Sequence, residues 1–462
     1  MSRSDVIVIG AGTSGLVAAQ VLARAGLRVV VLERAAMLGD APDIGWVPEP
    51  VVRELELAGA GLAVATPDPW LSAALPGGGR LDLMRDVART ADQIRALSAR
   101  DAERWPAFCA RMRQMSAALE ALYVEPAPDP LTSRAGELYR LGMLGLSVRS
   151  RGRQATIDLL RTLPMSAADL LGEWFESDAL IAALAAGGVR HLCQGPRSGG
   201  TAFLMLHHHA GQPEGVFRPP RSNLRRVLAG MAGPHIRLGA RVERILVRGG
   251  RAAGVALEGG EELEAPVVLS TAGPRTTLER LVEPGWLDPE FARAVRNIRA
   301  RVVTATVTIT LEGRLDSPPV VVAPSIEYIE RAYDDAKYGR VSAAPVLEAH
   351  ADGNQLVVAA QYIPAAAALE EAAFGAQVVD LLAPHIPNLR AMVRGVRVDR
   401  PAEHEYHGEM GLDQILFMRP VGGWSRYRTP IAGLLLAGPG THPGGAIAGM
   451  SGLLAAREIL GA

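Results

Sequence analysis

The pattern of hydrophobic residues changes several times along this chain, and each change predicts a different kind of element. An apolar, β-branched run at Val6–Ile9 predicts a buried strand, and the small-residue amphipathic stretch after it predicts a helix. Residues 28–32 predict a second strand. The first segment therefore has the pattern of a β-α-β unit, which continues to about residue 75. Gly77, Gly78 and Gly79 then predict a hairpin turn.

The middle of the chain has helical periodicity. Residues 138–192 are predicted to be mostly helical, and residues 90–123 carry apolar side chains at helical spacing: Ile94, Leu97, Trp105, Phe108, Met112, Met115, Leu119 and Leu122. Such a stripe more often packs a core than lines a ligand channel, although large apolar pockets do occur at domain interfaces. This section is interpreted as a helical lid, with both roles left open.

Alternating β-branched runs follow from His235 onward and predict strands. The predicted strands are residues 236–238, 242–247, 254–258, 267–270, 302–311 and 355–362, and a helix is predicted at residues 376–382. Residues 434–437 form another apolar strand, which leads into a Gly/Pro-rich loop and a helix expected to begin near Ala446. The C-terminal segment thus repeats the strand–loop–helix order of the N terminus.

The N-terminal loop has the residues that a dinucleotide requires. Gly10, Gly12 and Gly15 form G-x-G-x-x-G between strand and helix, where they allow a tight turn, a close approach to a pyrophosphate and close helix packing. Glu33 ends the second strand at the spacing of a ribose ligand. The helix N-terminus offers free N–H groups to the phosphates. We accordingly include Thr13, Ser14 and Arg34 in the expected cofactor site.

The strand, loop and helix from residue 434 onward form a C-terminal cradle, which is predicted to hold the flavin end of the cofactor. A helix N-terminus after the loop would present N–H groups to the edge of a flavin ring, which gains negative charge on reduction. Gly438 and Gly445 belong to this loop. Considered alone, the same pattern is equally typical of a surface helix that follows a glycine loop.

Composition narrows the class of protein. A length of 462 residues favours two domains, and a net charge of −1 without basic blocks argues against nucleic-acid binding. Apolar stretches fall short of the ~20 residues of a spanning helix, and we expect no signal segment before the first strand, so a cytoplasmic location is predicted. Cys109 and Cys193 form no C-x-x-C motif, which excludes a redox disulfide of that kind. No metal site is expected.

The chain resembles the phytoene desaturase-related flavoproteins over nearly its whole length, in the branch of pyridine nucleotide-disulfide oxidoreductase domain-containing protein 2, with carotenoid isomerases and retinol saturases as relatives. Besides the N-terminal glycines, the resemblance rests on residues 85–108, 195–208, 333–345, 407–420 and 427–445. It implies an α/β fold: a discontinuous Rossmann-like FAD-binding domain (1–75, 213–275 and 408–462) and a mixed α+β substrate domain with a helical lid (76–212 and 276–407).

The resemblance also implies how FAD is held. The cofactor is expected to be non-covalent, with the adenine end on the residues from Gly10 to Gly15, and with Val242 and Glu243 near the adenine. Ala446 and Ile447 are expected to present N–H groups to the pyrimidine edge of the flavin. Two stretches depart from the family pattern: Leu38-Gly39-Asp40-Ala41 replaces an Arg-x-Gly-Gly turn, and Arg218-Pro-Pro-Arg-Ser-Asn223 replaces a glycine-rich loop.

Few residues are candidates for the chemistry. His407 and Arg419 flank a motif expected at the domain junction, where they are predicted to be catalytic, although His407 is nearly as typical of a packed turn. His207, His208 and His209 are consecutive and cannot all face one metal ion. Glu409 and Asp413 are candidate acids that are more often surface charges. Lys337, the sole lysine of the sequence, is the residue that an amine-oxidase mechanism would need.

These observations predict an FAD-dependent oxidoreductase that desaturates or isomerises a C–C bond of a largely apolar small molecule. Oxygen or a quinone is the expected electron acceptor, because no second G-x-G-x-x-G module is visible. Two alternatives stay open: oxidation of C–N bonds, and a non-catalytic protein of the same fold that binds an isoprenoid or a partner. Peripheral contact with a membrane and the oligomeric state are left open.

Overall fold

The elements of the fold are defined by a computed structural model, which describes residues 4–39, 42–129, 135–150 and 153–461. The strands in these ranges are β1 Val6–Ile9, β2 Val29–Leu32, β3 Asp43–Trp46, β4 Val64–Ala65, β5 Leu71–Ala74, β6 Arg80–Leu83, β7 Arg221–Ser222, β8 His235–Arg237, β9 Val242–Arg248, β10 Arg251–Leu257, β11 Glu262–Glu264, β12 Val267–Ser270, β13 Val302–Leu311, β14 Val320–Val322, β15 Leu347–Asp352, β16 Gln355–Pro364, β17 Val393–Asp399, β18 Leu434–Leu436 and β19 Ala446–Ile447.

Helices account for most of the remaining regular structure in the same ranges. They are α1 Thr13–Arg24, α2 Glu49–Glu54, α3 Val87–Arg95, α4 Ala99–Tyr123, α5 Ala135–Ser150, α6 Arg153–Thr162, α7 Ala167–Trp174, α8 Asp178–Gly188, α9 Thr201–His209, α10 Leu224–Gly230, α11 Pro289–Arg296, α12 Ile326–Lys337, α13 Glu371–Leu382, α14 Leu389–Met392 and α15 Met450–Leu460. None of the helices in the described part of the chain combines the length and the apolar character that a bilayer-spanning helix needs.

A five-stranded parallel sheet forms the predicted Rossmann-like unit. Its strand order is β18-β12-β1-β2-β8, and Val6 pairs with both Val29 and Val267. All four residues of β1 are buried, as expected for a parallel strand that is covered on both faces. The first β-α-β unit is therefore confirmed, and its sheet is completed by strands from the middle and the C-terminal end of the chain.

Helices α1 and α15 pack against each other on this sheet through backbone contact. A Cβ atom added at Gly452 would lie 2.0 Å from the carbonyl oxygen of Ser14, so glycine is required at that point of α15. Ser14 lies in the first turn of α1, and Gly452 lies in the first turn of α15. The N-terminal ends of the two helices are thus brought side by side.

The start of the last helix differs from the prediction. The helix begins at Met450 rather than near Ala446, and Ala446 instead belongs to the short strand β19. Its φ of +62° lies in the left-handed region, which a right-handed helix excludes. Ala446 and Ile447 pair in parallel with Gly45 and Trp46 of β3.

A second, seven-stranded sheet forms the mixed α+β part. Its order is β17-β13-β16-β15-β14-β5-β6, and its strands pair antiparallel except for β14 with β5. The predicted hairpin at Gly77–Gly79 joins β5 to β6, so β5 belongs to this sheet although it precedes residue 75. The division of the chain at residue 75 and at the other expected boundaries remains our proposal.

Helix α4 of the helical section packs as core. The predicted helix at residues 90–123 is two helices, because the side chain of Ser98 accepts a hydrogen bond from the Asp101 N–H and starts α4 there. Trp105 and Phe108 are fully buried, and the Phe108 ring lies 4.9 Å from Phe175 and 5.4 Å from Phe217. The stripe on α4 thus fills the interior beneath the helices.

The contact between α1 and α15 generates a stability prediction. We expect Gly452→Ala to lower the free energy of unfolding by about 2 kcal/mol or more, because the added methyl group meets backbone that cannot rotate away. Gly172→Ala in α7 is the matched control: its Cβ would meet nothing within 4 Å, and alanine is the better helix former. Urea unfolding of both variants measures the difference. Equal stability of the two variants would contradict the packing constraint.

Candidate active site

A cavity of about 630 Å³ opens at the carboxyl ends of the parallel strands. Ligands of doubly wound folds bind at this edge of the sheet, and the volume is within the usual range for small-molecule sites. The cavity brings together seven residues that the sequence singled out: Gly10, Gly12, Glu33, Arg34, Val242, Glu243 and His407.

The glycine loop has the geometry of a pyrophosphate cradle. Gly10 has a φ of +99°, and a Cβ there would lie 2.4 Å from Thr271 Oγ1. A Cβ on Gly15 would lie 2.1 Å from the carbonyl oxygen of Gly10. A Cβ on Gly12, in contrast, would meet nothing within 4 Å, so the backbone at the N-terminus of α1 faces open space. No side chain caps this end of α1, which leaves its N–H groups for an anion.

Glu33 is held by two backbone N–H groups at the end of β2. Its Oε2 atom accepts a hydrogen bond from the Ala11 N–H and its Oε1 atom from the Ala35 N–H, each at 2.9 Å. An ionised carboxylate has about four acceptor sites, so two remain for the hydroxyl groups of a ribose. Arg34 is paired with Glu405 across the cavity.

The second cradle is braced by side chains that the sequence analysis did not single out. The Gly438 N–H donates to Ser451 Oγ at 2.8 Å, and Thr441 Oγ1 donates to the Gly438 carbonyl at 3.0 Å. The hydroxyl groups of Thr441 and Ser451 lie 2.6 Å apart. Gly449 precedes α15 in the left-handed region and contributes no capping side chain. In the sequence, the hydroxyl residues Thr441 and Ser451 stand among glycine and other small residues, and this pattern could have indicated the hydrogen bonds between them.

The cavity beside the glycine loop and Glu33 is called the nucleotide cavity from here on. His407 lines it and lies next to Gly438. A Cβ on Gly438 would lie 3.8 Å from His407 Cε1, and the Nδ1 atom of His407 is buried without a hydrogen-bond partner among the described residues. Burial, reinforced by the charge of Arg419, lowers the pKa of His407 to about 4. The imidazole is therefore neutral near pH 7.

Arg419 is not available to a ligand in the way that a catalytic residue would be. Its side chain is buried, and its five N–H groups donate at 2.8–3.3 Å to backbone carbonyls, those of His407, Gly408, Glu409, Gln414 and Pro439. Burial lowers the pKa of Arg419 to about 10, so it stays charged at neutral pH. We therefore propose a structural role for Arg419 in place of the catalytic role that the sequence predicted.

The three consecutive histidines point to different partners. The ring nitrogens of His207 contact Tyr123 Oη at 2.8 Å and the Gly445 carbonyl at 2.6 Å. His208 contacts the Gly187 carbonyl, and His209 contacts the Val216 carbonyl. His207 thus supports the second cradle through Gly445. Within the described ranges, no group of three or more His, Cys, Asp or Glu residues is arranged to hold a metal ion.

The candidate acids Glu409 and Asp413 and the lysine Lys337 lie outside the lining of the nucleotide cavity. Glu409 is buried and forms an ion pair with Arg301 at 2.8 Å, and Asp413 lies 3.6 Å from Arg299 at a half-exposed position. Lys337 ends α12, where its Nζ lies 5.6 Å from the ring centroid of the exposed Tyr338. None of these three residues lines the nucleotide cavity.

The first departure, Leu38-Gly39-Asp40-Ala41, is contacted by Arg225, which lies in α10 just after the second departure. Arg225 Nη2 donates to the Gly39 carbonyl at 2.7 Å, and the Arg225 N–H donates to Asp43 at 2.6 Å. Asp40 and Ala41 lie outside the described residues. Thr13 donates its hydroxyl to Asp43, which ties the N-terminus of α1 to β3.

Other residues of the nucleotide cavity were missed by the sequence analysis. Thr271, Thr276, Arg280 and Glu405 line the cavity although they are far from the fingerprint in sequence; Thr276 and Arg280 lie in a short π-helix and Glu405 ends a 3-10 helix. Thr271 follows β12 and donates its hydroxyl to the Ile9 carbonyl at 2.8 Å. Its position after a predicted parallel strand was the signal that could have identified it.

Comparison with known proteins extends these observations. Residues 146–460 match the family model described as flavin containing amine oxidoreductase, and residues 1–46 match the Thi4 family model. Pyridine nucleotide-disulfide oxidoreductase domain-containing protein 2 of Rattus norvegicus is 28% identical over 98% of this chain and 93% of the relative. Hydroxyneurosporene desaturase of Rubrivivax gelatinosus is 29% identical over 68% of this chain and 61% of the relative. The resemblance to the phytoene desaturase-related flavoproteins is confirmed.

Solved structures show the same fold at lower identity. A triple mutant of putrescine oxidase has a TM-score of 0.61 at 15% identity, over 99% of both chains. Cyclohexylamine oxidase from Brevibacterium oxydans IH-35A has a TM-score of 0.53 at 16% identity, over 99% of this chain and 100% of that chain. Together with the two cradles, the family match identifies the cofactor as FAD. The chain belongs to the family of flavin containing amine oxidoreductases and is an FAD-dependent oxidoreductase.

Proposed function

We propose that this oxidoreductase desaturates, or isomerises without net redox change, a C–C bond of a largely apolar small molecule. The observation that carries the proposal is the place of Lys337, the sole lysine of the sequence. It is the exposed last residue of α12, and it does not line the cavity that contains Glu33 and the glycine loop. The amine-oxidase alternative depended on this residue. The similarity to a desaturase over two thirds of the chain supports the same choice.

The chain's own residues divide the work around the cofactor. Bound FAD supplies the acceptor for a hydride from the substrate carbon. We propose that Gly10, Gly12, Thr13, Ser14 and Gly15 hold the pyrophosphate and that Glu33 holds the ribose. Val242 is proposed to contact the adenine.

The C-terminal cradle is proposed to hold the flavin ring itself. Gly438 and Gly445 lie in its loop, and Ala446 and Ile447 are proposed to donate their N–H groups to the pyrimidine edge. The strand pairing of these two residues with β3 fixes the direction of that backbone. The N-terminus of α15 behind them favours negative charge on the reduced ring.

We propose that His407 contacts the cofactor as a neutral hydrogen-bonding group. Its unpartnered Nδ1 and its place beside Gly438 support this role. Arg419 is proposed to fix the loop from His407 to Gln414 through the carbonyls that it binds. Oxygen or a quinone remains the proposed electron acceptor.

A substrate screen tests the proposed reaction. We expect isoprenoid hydrocarbons to bleach the bound flavin under anaerobic conditions, whereas aliphatic amines should not. The Lys337→Met variant should show flavin bleaching at the wild-type rate, because Lys337 is exposed and does not line the cavity. Stopped-flow absorbance measures both rates. Bleaching by amines alone, lost in Lys337→Met, would instead support C–N oxidation.

Glu33→Gln should weaken FAD binding. We expect the dissociation constant to rise about tenfold or more, because the amide replaces a charged acceptor that two backbone N–H groups hold at the ribose position. Flavin fluorescence during titration of the apoprotein gives the constant. Glu264→Gln on the exposed strand β11 is the matched control and should bind FAD normally. An unchanged dissociation constant for FAD in Glu33→Gln would contradict the proposal that Glu33 holds the ribose.

Because the pKa of His407 is lowered, we expect this residue to cause no change in the rate of flavin reduction with pH near neutrality. Since the imidazole is neutral above its pKa of about 4, it should not titrate between about pH 5.5 and 9. We expect the rate of flavin reduction in His407→Asn to run parallel to that of the wild type over this range. An inflection near neutral pH that disappears in His407→Asn would show that His407 titrates there and acts as an acid or base.

A further inference from the structure

A second, smaller cavity lies between the departing loop and the seven-stranded sheet. Its volume is about 70 Å³, and the residues that line it come from the loop, from β15 and from the segment before β5. Its polar lining residues include Arg85, Arg218, Arg221, Glu348 and His350. No role in holding FAD has been assigned to any of them.

Positive charge exceeds negative charge around this cavity. Glu348 contacts Arg190 at 3.2 Å and Arg218 at 3.3 Å, and both arginine side chains are only 6% exposed. Arg221 donates to His350 Nδ1 at 2.6 Å instead of to a carboxylate. Three guanidinium groups are thus gathered around one carboxylate, with the half-buried Arg85 also at the cavity wall.

The protonation states preserve this excess at neutral pH. Burial alone would raise the pKa of Glu348, but the guanidinium groups of Arg190, Arg218 and Arg221 lower it to about 2. Burial lowers the pKa of Arg221 to about 10, so it remains charged. Burial and the charge of Arg221 lower the pKa of His350 to about 3, so its imidazole adds no positive charge. Asp352, farther along β15, is exposed. A buried charge without its counterion is unfavourable.

Two buried donors near the charges lack a partner. Trp70, which is 3% exposed, lines the cavity, and its Nε1 has no hydrogen-bond partner among the described residues. The same holds for Arg190 Nε behind Glu348. Native structures satisfy nearly all buried donors, so each exception requires an explanation. The remaining wall is largely apolar, with Pro67, Val216, Pro219, Pro220 and Pro319.

The strand register places the charges at a defined distance from the proposed flavin edge. Arg221 on β7 pairs with Ile44 of β3, and the adjacent Gly45 pairs with Ala446 of β19. Two strand spacings separate β7 from β19, which is about 10 Å. The backbone of Arg221 therefore lies about 10 Å from the backbone of Ala446, a separation that a molecule of moderate length can span.

We propose that this cavity binds the carboxylate of the substrate, so that the substrate is an apolar acid whose hydrocarbon part extends toward the flavin. Arg221 and Trp70 donate to the carboxylate, and Arg85 and Arg218 supply further positive charge. A carboxylate accepts hydrogen bonds from guanidinium groups in a planar, directional manner. This inference rests on the proposed function and adds the polar group by which an apolar substrate is oriented.

Octanoate and 1-octanol, which share an alkyl chain and differ in charge, test the inference on the FAD-loaded protein. Binding is followed by the visible difference spectrum of the flavin and by thermal stabilisation, with inorganic phosphate as a third probe. We expect octanoate to bind and 1-octanol to bind at least about tenfold more weakly. Octanoate should also be favoured over phosphate, because the cavity wall is largely apolar.

Variants of the lining residues assign the effect. Arg221→Gln should weaken octanoate binding about tenfold or more, and Trp70→Phe, which keeps the ring and removes the N–H, should weaken it by a smaller factor. Arg397→Gln on the exposed strand β17 is the matched control for loss of one positive charge. If Arg221→Gln fails to fold, Arg85→Gln and Trp70→Phe decide the question.

Each outcome separates this inference from the proposed reaction. Equal binding of octanoate and 1-octanol, tighter binding of phosphate, no octanoate binding, or octanoate binding that is indifferent to these variants would overturn the carboxylate site. Selective octanoate binding without flavin bleaching by any unsaturated hydrocarbon or hydrocarbon acid would retain the site and reject the proposed reaction. Flavin bleaching by such compounds without selective octanoate binding would retain the proposed reaction and reject the carboxylate site.

Discussion

The contact between the first turns of α1 and α15 is the constraint on which the rest of this structure depends. It brings together two helix N-termini that have no capping side chain, at Gly12 and at Gly449. Both ends carry partial positive charge and unpaired N–H groups. Two such ends placed side by side repel each other unless an anion lies near them. The cofactor therefore completes the electrostatics of the fold as well as the chemistry of the site.

The sequence predicted the parts of the structure that depend on local pattern. Strand β1, strand β13 and the glycine loop lie where the periodicity and spacing placed them. The predicted start of α15 was wrong because Ala446 has a left-handed backbone conformation and pairs with a strand that is distant in sequence, and local pattern shows neither. The break between α3 and α4 depended on one capping hydroxyl group, that of Ser98.

Side-chain roles were less predictable than elements, because they depend on long-range partners. Arg419 has the residue type of an anion ligand, yet its donors are used by five backbone carbonyls. The excess charge around Glu348 joins three segments that are far apart in sequence: the end of α8, the loop before β7 and strand β15. The departure at residues 218–223 was visible in the sequence, but its contacts with Glu348 and His350 of β15 could not be predicted from it.

The order of strands in the parallel sheet has a consequence for biosynthesis. β12 ends at Ser270, whereas β18, which borders it in the sheet, begins at Leu434. The nascent chain therefore carries this sheet without β18, and with the edge of β12 unpaired, until the residues of β18 have left the ribosome. Because such edges favour misassociation, the interval between synthesis of β12 and synthesis of β18 is a period in which this chain is exposed to aggregation.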